Sequence, residues 1–423
     1  MEVKMKIEKR VLGCALRVLG KVACQNSPVE EYRSIRFQGG EDSVSVSATN
    51  GREWITFDLP CQSDGAFDFA IELKTLRDRI RHEYGETIEL TGKSLPWTDV
   101  APVPDEATQI VLPENFTALL ELAAQLVDRE SPRQILQGIN LSSSGITATN
   151  GRELLHLPLS LQLKEDITLP FPSALLAARI ATPGILKVWQ ENGNRMFRIE
   201  IGNLCWQGMA LSGTFPDWRQ VIPAVKMLDY QITIHEPEKI ISFLKSVPDH
   251  EPNHGIELSI TPAGLVIIPV NYPDMQLEVK AELTGQPPRV ALALNKYILM
   301  RVLQQGYTRL RAHSDGGVPV VASGGRGQYI AMPIRILPKS INIKEKQAME
   351  PFKAIKPDVA AVEVNPMEEL NSSIEELRGK LRTLFEESAL LSRKVKEAVL
   401  QQKQREREFI QAKRAIERIR MAI

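Results

Sequence analysis

Alternating apolar and polar residues mark short strands throughout the first 340 residues, and apolar residues spaced three and four apart mark helices between them. The clearest strands surround a repeated segment. Residues 48–53 read Ala-Thr-Asn-Gly-Arg-Glu, and residues 148–153 repeat all six. Strands are predicted at 43–47 and 54–59 around the first copy, and at 145–147 and 154–159 around the second. Asn-Gly between two strands predicts a tight turn, because both residues tolerate positive φ.

The same order of elements occurs three times, which predicts an α+β fold built from three copies of one unit. Each copy has a helix, a strand pair, a second helix and further strands. Its two helices are predicted at 8–24 and 71–84 in the first copy, 114–129 and 172–180 in the second, and 236–246 and 295–304 in the third. The third copy adds a hairpin (255–260 and 264–270), a strand at 275–283 and a last strand at 329–336. We expect domains at 1–105, 106–228 and 229–340.

Residues 341–423 have a different pattern. The range 341–365 is rich in Pro, Lys and Glu without periodicity, which predicts a linker. Asn365 and Pro366 then form a helix start signal, and a heptad pattern predicts a coiled-coil helix over 366–423. One seam position holds Met367, Ile374, Leu381, Ser388, Val395, Gln402, Phe409 and Ile416, and the other holds Leu370, Leu377, Leu384, Leu391, Ala398, Arg405, Ala412 and Ile419.

Composition favours a soluble, cytoplasmic protein. The 423 residues carry 52 Lys and Arg against 52 Asp and Glu and are 43% hydrophobic, which is typical of globular chains. The chain contains no apolar run near the roughly 20 residues of a membrane helix, and its first residues lack a signal-peptide core. The 4 cysteines, Cys14, Cys24, Cys61 and Cys205, are too scattered for a metal site or a disulfide framework, so we expect them to be buried.

Two segments resemble catalytic motifs without meeting their structural requirements. Residues 250–254 match the zinc-protease pattern HExxH, but Pro252 prevents the regular helix that would place His250 and His254 on one face. Residues 324–327 are rich in glycine, but no Lys-Ser or Lys-Thr follows, so a hairpin turn is favoured over a phosphate cradle. We therefore predict no enzymatic activity, no metal and no cofactor; a hydrolase that uses these histidines is the disfavoured alternative.

Two helices of the first unit have a basic face. Arg10, Arg17 and Lys21 are spaced seven and eleven residues apart, so they share one face of their helix, and apolar residues lie on the opposite face. The second helix places Lys74, Arg77 and Arg81 on one face in the same way. Such faces are commonly just solvated, but two in one unit raise the alternative that they face DNA phosphates.

Three segments resemble the bacterial sliding clamp, the DNA polymerase III beta subunit. Residues 148–154 (Ala-Thr-Asn-Gly-Arg-Glu-Leu) are similar to a turn of its middle domain. Residues 213–223 (Gly-Thr-Phe-Pro-Asp-Trp-Arg-Gln-Val-Ile-Pro) are similar to its linker between the middle and last domains. Residues 329–336 (Tyr-Ile-Ala-Met-Pro-Ile-Arg-Ile) are similar to its C-terminal strand. The resemblance covers about residues 5–336.

The resemblance implies a processivity factor of DNA replication: two chains head to tail form a homodimer ring around double-stranded DNA, without sequence specificity. The DNA-facing residues would be Arg10, Arg17, Lys21, Lys74, Arg77, Arg81, Lys296 and Arg301. DNA polymerase and clamp-loader-type proteins would bind through an apolar cleft between the second and third domains, unless those residues only join the domains. That cleft would be lined by Leu136, Thr149, Gly151, Leu154, Pro216, Val221, Ile330, Met332, Pro333 and Ile334.

The chain also departs from the family. Arg152, Glu153 and Gln220 replace family residues at the cleft rim, and Glu114, Glu121 and Asp128 lie where the first unit has its basic face. The first domain passes from 89–95 to 102–104 without the usual last strands. The tail, 366–423, would pair with its copy or with another coiled-coil protein, and DNA contact through Arg393, Lys394, Lys396, Lys403, Arg405 and Arg407 is a weaker alternative. Another reading is an assembly protein that keeps this fold and oligomerises through the tail without enclosing DNA.

Overall fold

The structure is a computed structural model, and it describes residues 4–249, 253–261, 264–286, 291–314 and 316–334. The predicted linker at 341–365 and the predicted coiled coil at 366–423 lie outside these ranges. Within them, the elements form three groups that we name repeats 1, 2 and 3. No described helix is long and apolar enough to cross a membrane.

Each repeat begins with a strand and a helix, continues with further strands and a later helix, and ends with one strand in repeat 1 and three strands in repeats 2 and 3. Repeat 1 comprises β1 (Met5–Glu8), α1 (Lys9–Leu19), α2 (Glu30–Arg33), β2 (Ser34–Gly39), β3 (Ser43–Thr49), β4 (Glu53–Pro60), β5 (Gln62–Ser63), β6 (Phe67–Glu72), α3 (Leu73–His82) and β7 (Thr87–Leu90). Repeat 2 comprises β8 (Thr108–Leu112), α4 (Phe116–Ala124), β9 (Gly138–Ser142), β10 (Gly145–Thr149), β11 (Glu153–Pro158), β12 (Ile167–Pro170), α5 (Ser173–Ala178), β13 (Gly184–Glu191), β14 (Asn194–Ile201) and β15 (Leu204–Met209). Repeat 3 comprises β16 (Tyr230–Ile234), α6 (Pro237–Ser246), β17 (Gly255–Thr261), β18 (Gly264–Pro269), β19 (Leu277–Val279), β20 (Ala281–Gly285), β21 (Leu292–Asn295), α7 (Lys296–Gln304), β22 (Arg309–Ala312), β23 (Val320–Ser323) and β24 (Gln328–Ala331).

Two large antiparallel sheets run across the boundaries between repeats. An eight-stranded sheet has the order β6-β2-β3-β4-β15-β14-β13-β8, so β4 of repeat 1 pairs with β15 of repeat 2. A nine-stranded sheet has the order β12-β9-β10-β11-β24-β23-β22-β16-β20, so β11 of repeat 2 pairs with β24 of repeat 3. We call these two strand pairs the first and second junctions. Smaller sheets, β5-β1-β7 and β19-β18-β17-β21, complete repeats 1 and 3.

The helices pack on the sheets through their apolar faces. Leu12, Leu16 and Leu19 of α1 are buried, and α1 packs against β3, β4, α3 and α5. The buried apolar side chains of all three repeats form one continuous core. A second, smaller cluster at the second junction contains Leu154, Trp218 and Ile330.

The structure confirms the predicted helices and hairpins within a few residues, with several corrections. Both Asn-Gly turns and the hairpin at 324–327 form as predicted. The helices are shorter than expected, and α5 is followed directly by Arg179, which has φ 52°. The strand predicted at 275–283 is two strands in different sheets, separated at Lys280, whose amide donates to Glu236 Oε2 at 3.0 Å. The last strand ends at Ala331, earlier than the predicted 336.

Candidate functional site

The repeated Asn-Gly-Arg-Glu segment forms the same turn in both copies. The Asn50 side-chain oxygen accepts the amides of Arg52 and Glu53 at 3.0 and 2.9 Å, and Asn150 does the same at 3.0 Å for both Arg152 and Glu153. Gly51 and Gly151 have φ of 83° and 82°, which other residues adopt at a cost. Each turn therefore delivers a glutamate to the first position of the strand that forms a junction.

At the second junction, this glutamate is an anchor between repeats. The Glu153 side chain has no exposed surface, and Arg301 of α7 donates to it from Nη2 at 2.7 Å and from Nε at 3.2 Å. The Tyr329 hydroxyl and the Asn150 amide also donate to the carboxylate. Arg301 Nη1 additionally donates to the Gln125 carbonyl at 3.0 Å. A buried ion pair with this many hydrogen bonds is strongly position-specific.

At the first junction, the equivalent glutamate has a neutral partner. Glu53 Oε2 accepts from Trp206 Nε1 of β15 at 2.9 Å, and no described salt bridge reaches this carboxylate. Burial raises the pKa of Glu53, and the hydrogen bonds from Trp206 and Asn50 only partly oppose that rise. The glutamate of one motif thus has a neutral donor across the junction in one copy and a cationic donor in the other.

An apolar cleft lies beside the second junction and encloses about 180 Å³. It contains most of the residues expected from the resemblance: Leu136, Thr149, Gly151, Leu154, Pro216, Val221, Ile330 and Met332. Val221 and Met332 are 47% and 43% exposed, and they lie beside the buried Leu154 and Ile330 in the lining of the cleft. The cleft therefore offers an open apolar surface beside a fully packed junction.

One wall of the cleft comes from the segment that connects repeats 2 and 3. Trp218 is buried and stacks on His156, with ring centroids 4.1 Å apart, and the Arg219 guanidinium lies 4.6 Å from the Trp218 ring centroid. Burial, with the nearby Arg219 charge, lowers the pKa of His156, which favours the neutral ring. Thr147 Oγ1 is 3.0 Å from His156 Nδ1. These contacts hold the wall in place on β10 and β11.

Two predicted cleft residues lie elsewhere. Pro333 and Ile334 do not line the cleft, because the chain turns toward repeat 3 after Met332, and the Ile334 amide donates to the Ala293 carbonyl at 2.8 Å. Trp218, Arg133 and Asp217 line the cleft and were not predicted. An aromatic residue within a Pro-containing connecting segment was the available signal for Trp218.

The basic faces of repeat 1 are largely exposed as predicted. Arg10, Arg17 and Lys21 are exposed along α1 and just beyond its end. Lys74 and Arg81 of α3 are exposed too. Arg77 is partly covered, because its guanidinium packs against Gly20 at the end of α1, which brings the two basic faces together.

Lys296 and Arg301 of α7 do not form a free basic face, which corrects the expectation for repeat 3. Lys296 is 5% exposed, and its Nζ donates to the Val247 carbonyl at 2.7 Å and to Asp249 Oδ1 at 2.6 Å. Arg301 is held by Glu153, as described above. Both cations are engaged in contacts within the protein. The spacing of residues along one helix could not reveal these contacts, because the partners come from other elements.

A second cavity of about 350 Å³ lies at the first junction, beside the first copy of the turn. Its lining includes the cationic residues Lys21, Arg52 and Arg129 together with Glu53 and Met209. The Arg129 guanidinium lies 4.6 Å from the centroid of the Phe171 ring. The two junctions therefore present cavities of different chemistry.

The remaining candidate groups from the sequence are metal-ligating side chains, residues 250–254 and the cysteines. No cluster of three or more His, Cys, Asp or Glu that could hold a metal occurs there. Of the residues 250–254, only Asn253 and His254 are described, and His254 has φ 45°, outside a helix. Cys14 and Cys24 are exposed, which corrects the expectation of burial, whereas Cys61 is buried and Cys205 is partly buried.

The fold is that of known DNA clamps. No protein-family model and no curated protein matches the chain. Among solved structures, it is similar to a DNA polymerase III subunit beta sliding clamp from Bartonella birtlesii bound to griselimycin, with TM-score 0.68 and 17% identity over 79% of this chain and 100% of that chain. The Bacillus subtilis sliding clamp gives 0.67 and 14%, over 80% and 100%. The beta sliding clamp of C. crescentus gives 0.67 and 18%, over 79% and 100%.

Proposed function

We propose that this protein is a DNA clamp without enzymatic activity, in which two chains arranged head to tail surround duplex DNA and tether other proteins to it. The observation that carries the proposal is the sliding-clamp fold combined with the exposed cationic face of Arg10, Arg17 and Lys21 on and beside α1. The clamp would act on DNA in the cytoplasm, at the nucleoid.

The electrostatics suit a protein that moves along DNA. Lysine and arginine side chains attract phosphates without reading base edges, so contact with them carries no sequence preference. Retention would come from enclosure, and a formal net charge of 0 is then compatible with function. Repeat 2 contributes exposed Glu121 where repeat 1 has cations, so the attraction would be concentrated in repeat 1.

The apolar cleft at the second junction would bind peptide segments of partner proteins, such as a polymerase or a clamp-loader-type protein. A large apolar side chain entering between Leu154, Val221 and Met332 would bury the exposed apolar surface there. Griselimycin is bound to the similar Bartonella clamp, and we propose that it would bind this chain in the cleft, where it can serve as a probe ligand. The predicted coiled coil at 366–423 would add a second attachment point, for its own copy or for a coiled-coil protein.

A second candidate is an assembly protein that uses the same fold without enclosing DNA. The short first repeat, which lacks strands after β7 up to residue 107, favours this alternative. The two functions differ in how the protein leaves DNA. A clamp that encloses DNA stays on a circle and leaves a linear molecule, whereas an assembly protein that does not enclose DNA is indifferent to whether the DNA is circular.

Comparing how long the protein stays on circular and on linear DNA distinguishes the clamp from the assembly protein. The full chain is incubated with a nicked circular plasmid, washed at about 0.5 M salt, where charge contacts are screened, and then treated with a restriction enzyme. We expect bound protein to survive the wash on circles and to leave after linearisation. Equally fast loss from circles and linear DNA would contradict enclosure.

A further inference from the structure

The glutamates at the two junctions receive their neutral hydrogen bonds from corresponding positions. Trp206 of β15 and Tyr329 of β24 each stand two residues before the residue that pairs with the glutamate, and each donates to that glutamate. The asparagine of the glutamate's own turn also donates to it at both junctions. Glu53 and Glu153 are therefore equivalent in turn, register and neutral donors.

The chain also leaves the two junctions along the same path. At the end of each junction, a methionine amide donates to the carbonyl of the turn arginine, from Met209 to Arg52 at 3.3 Å and from Met332 to Arg152 at 2.8 Å. Two residues later, the chain donates to the strand that precedes the second helix, β12 in repeat 2 and β21 in repeat 3, at 2.8 Å in both. The helices α5 and α7 thus follow corresponding strands beside the two glutamates.

Only the second junction receives a cation from this helix. The guanidinium of Arg301 in α7 joins the Glu153 carboxylate to the carbonyl of Gln125, the residue directly after α4. The corresponding helix α5 reads Ser-Ala-Leu-Leu-Ala-Ala, so it offers no cation at any position. Glu53 therefore has the surroundings of Glu153 without the guanidinium.

The cavity at the first junction, which we call the first-junction cavity, lies between the elements that correspond to those joined by Arg301. Glu53 and Lys21 both line it, and Lys21 lies just beyond the end of α1, as Gln125 lies just beyond α4. Ser173, the first residue of α5, lines it as well. Its volume of about 350 Å³ is enough for a small ligand, so an arginine supplied from outside the chain has room there.

Charges in the first-junction cavity differ in depth. Glu53 is partly buried, whereas Lys21, Arg52 and Arg129 are exposed. None of these three cations forms an ion pair with another described residue. A ligand that pairs with both kinds of group needs a cation at its inner end and an anion at its outer end.

We propose that the first-junction cavity binds an arginine with a free carboxylate, either the free amino acid or the C-terminal residue of a partner's peptide. Its guanidinium pairs with Glu53 as Arg301 pairs with Glu153, because the planar guanidinium matches a carboxylate with two parallel hydrogen bonds. Its carboxylate faces the exposed cations Arg52 and Arg129. This site goes beyond the proposed function and does not depend on it, since all of its residues belong to one chain.

Calorimetric titration of the full chain with three related ligands tests the site. L-Arginine is compared with agmatine, which lacks the carboxylate, and with citrulline, which has a neutral group in place of the guanidinium. We expect arginine to bind and each analogue to bind about tenfold more weakly or less, because each loses its charge-assisted hydrogen bonds at one end. Absence of saturable arginine binding, or equal affinity for arginine and either analogue, would overturn the proposal.

Two peptides of one sequence that end in arginine, one with a free carboxylate and one with an amide, identify the source of the ligand. Tighter binding of the free-acid peptide than of free arginine assigns the site to the end of a partner protein. Weaker or no binding of that peptide assigns the site to the free amino acid, and both results support the proposal. Two peptides that bind equally tightly would refute it, because the carboxylate would then not be recognised.

Three variants of the full chain locate the binding. Glu53→Gln keeps the size of the side chain and should weaken arginine binding about tenfold or more. Arg52→Gln with Arg129→Gln should weaken the binding of arginine and leave that of agmatine unchanged. The matched control, Arg133→Gln with Arg152→Gln, removes two cations from the lining of the apolar cleft and should leave arginine binding unchanged. Unchanged affinity in Glu53→Gln, or equal losses in the two double variants, would contradict the assigned site.

Discussion

The first and second junctions start from the same six residues and differ in what those residues meet. Glu53 reaches a tryptophan N–H at the first junction, whereas Glu153 reaches an arginine and a tyrosine at the second. The cavity beside the first junction has cationic residues in its lining, and the cleft beside the second is mostly apolar. The repeated turn thus sets the architecture, while residues distant in sequence decide what each junction can bind.

At the second junction, the residues that join the repeats are distinct from the residues that are open to a ligand. At the second junction the ion pair of Glu153 and Arg301 is buried, and the apolar residues Val221 and Met332 remain exposed nearby. A stiff junction can hold the walls of a cleft in position without the ligand, which lowers the entropy lost on binding. The first junction has no such buried pair among the described salt bridges.

The largest expected effect is on stability at the second junction. Arg301→Met would leave the Glu153 carboxylate buried without a cation, and removal of one partner of a buried pair costs about 3–5 kcal/mol. Chemical denaturation should report this loss in the free energy of unfolding. Adding Glu153→Gln to the same variant should recover much of it, because the unpaired charge is gone. A loss below about 1 kcal/mol for Arg301→Met would contradict the anchoring role.

The next effect distinguishes the two cavities as ligand sites. On the proposal that griselimycin binds in the cleft, Val221→Asp should weaken its binding at least tenfold, about 1.4 kcal/mol, because the ligand would have to desolvate a carboxylate. Met209→Asp, a matched change of an exposed apolar residue in the first-junction cavity, should leave the affinity unchanged. Calorimetric titration measures both. Equal losses of affinity in the two variants would show that the cleft is not a more specific site for this ligand than the first-junction cavity.

A smaller effect compares the two turns directly. Asn50→Ala and Asn150→Ala each remove the acceptor for two backbone amides, and each should cost about 1 kcal/mol. Each asparagine also donates to the glutamate of its own turn, but Glu153 is the fully buried partner of Arg301, so Asn150→Ala should cost about 1 kcal/mol more. Thermal unfolding of both variants under one condition gives the comparison. Identical losses would mean that the ion pair of Glu153 and Arg301 does not strengthen the bond from Asn150.

The smallest effect is a dependence on pH. Because the pKa of Glu53 is raised in the folded protein, its contribution to stability is full below its ordinary value of 4.5 and is lost as pH rises through the folded pKa. Glu53→Gln, which does not ionise, should therefore gain stability relative to the wild type as pH rises from 4.5 toward about 8. Denaturation midpoints across this range measure the gap. If the stability advantage of Glu53→Gln over the wild type narrowed as pH rose, the pKa of Glu53 would not be raised in the folded protein.

Much of the fold could be predicted from the sequence because its signals are local. The Asn-Gly turns, the α1 face with Arg10 and Arg17, and the repeated order of elements depend on residues close together in the chain. Lys296 and Arg301 were misassigned, because an amphipathic helix does not reveal which neighbour its polar side will meet. The split of β19 from β20 likewise depends on Glu236, which is distant in the sequence.

The cleft was predictable through resemblance, and its anchor was not. Leu154 and Met332 line the cleft as the resemblance predicts, but the buried role of Glu153 requires knowledge that Arg301 of α7 reaches β11. The exposed Cys14 was also unexpected. Its thiol lies within 3.2 Å of Arg17 Nη2, so it shares the basic face of α1.

That thiol allows the most direct test of whether the basic face meets DNA. An iron chelate is attached to Cys14 in a chain that carries Cys24→Ser. Cys205 should stay unmodified, since burial raises its pKa to about 11. A control chain adds Cys14→Ser and Gln38→Cys, which moves the label to the outer face of β2. We predict cleavage along bound duplex DNA from the label at Cys14, without sequence preference, and none from the control chain beyond that of the unlabelled protein. Equal cleavage from both labelled chains, or cleavage from the outer face alone, would contradict a clamp whose α1 faces the DNA.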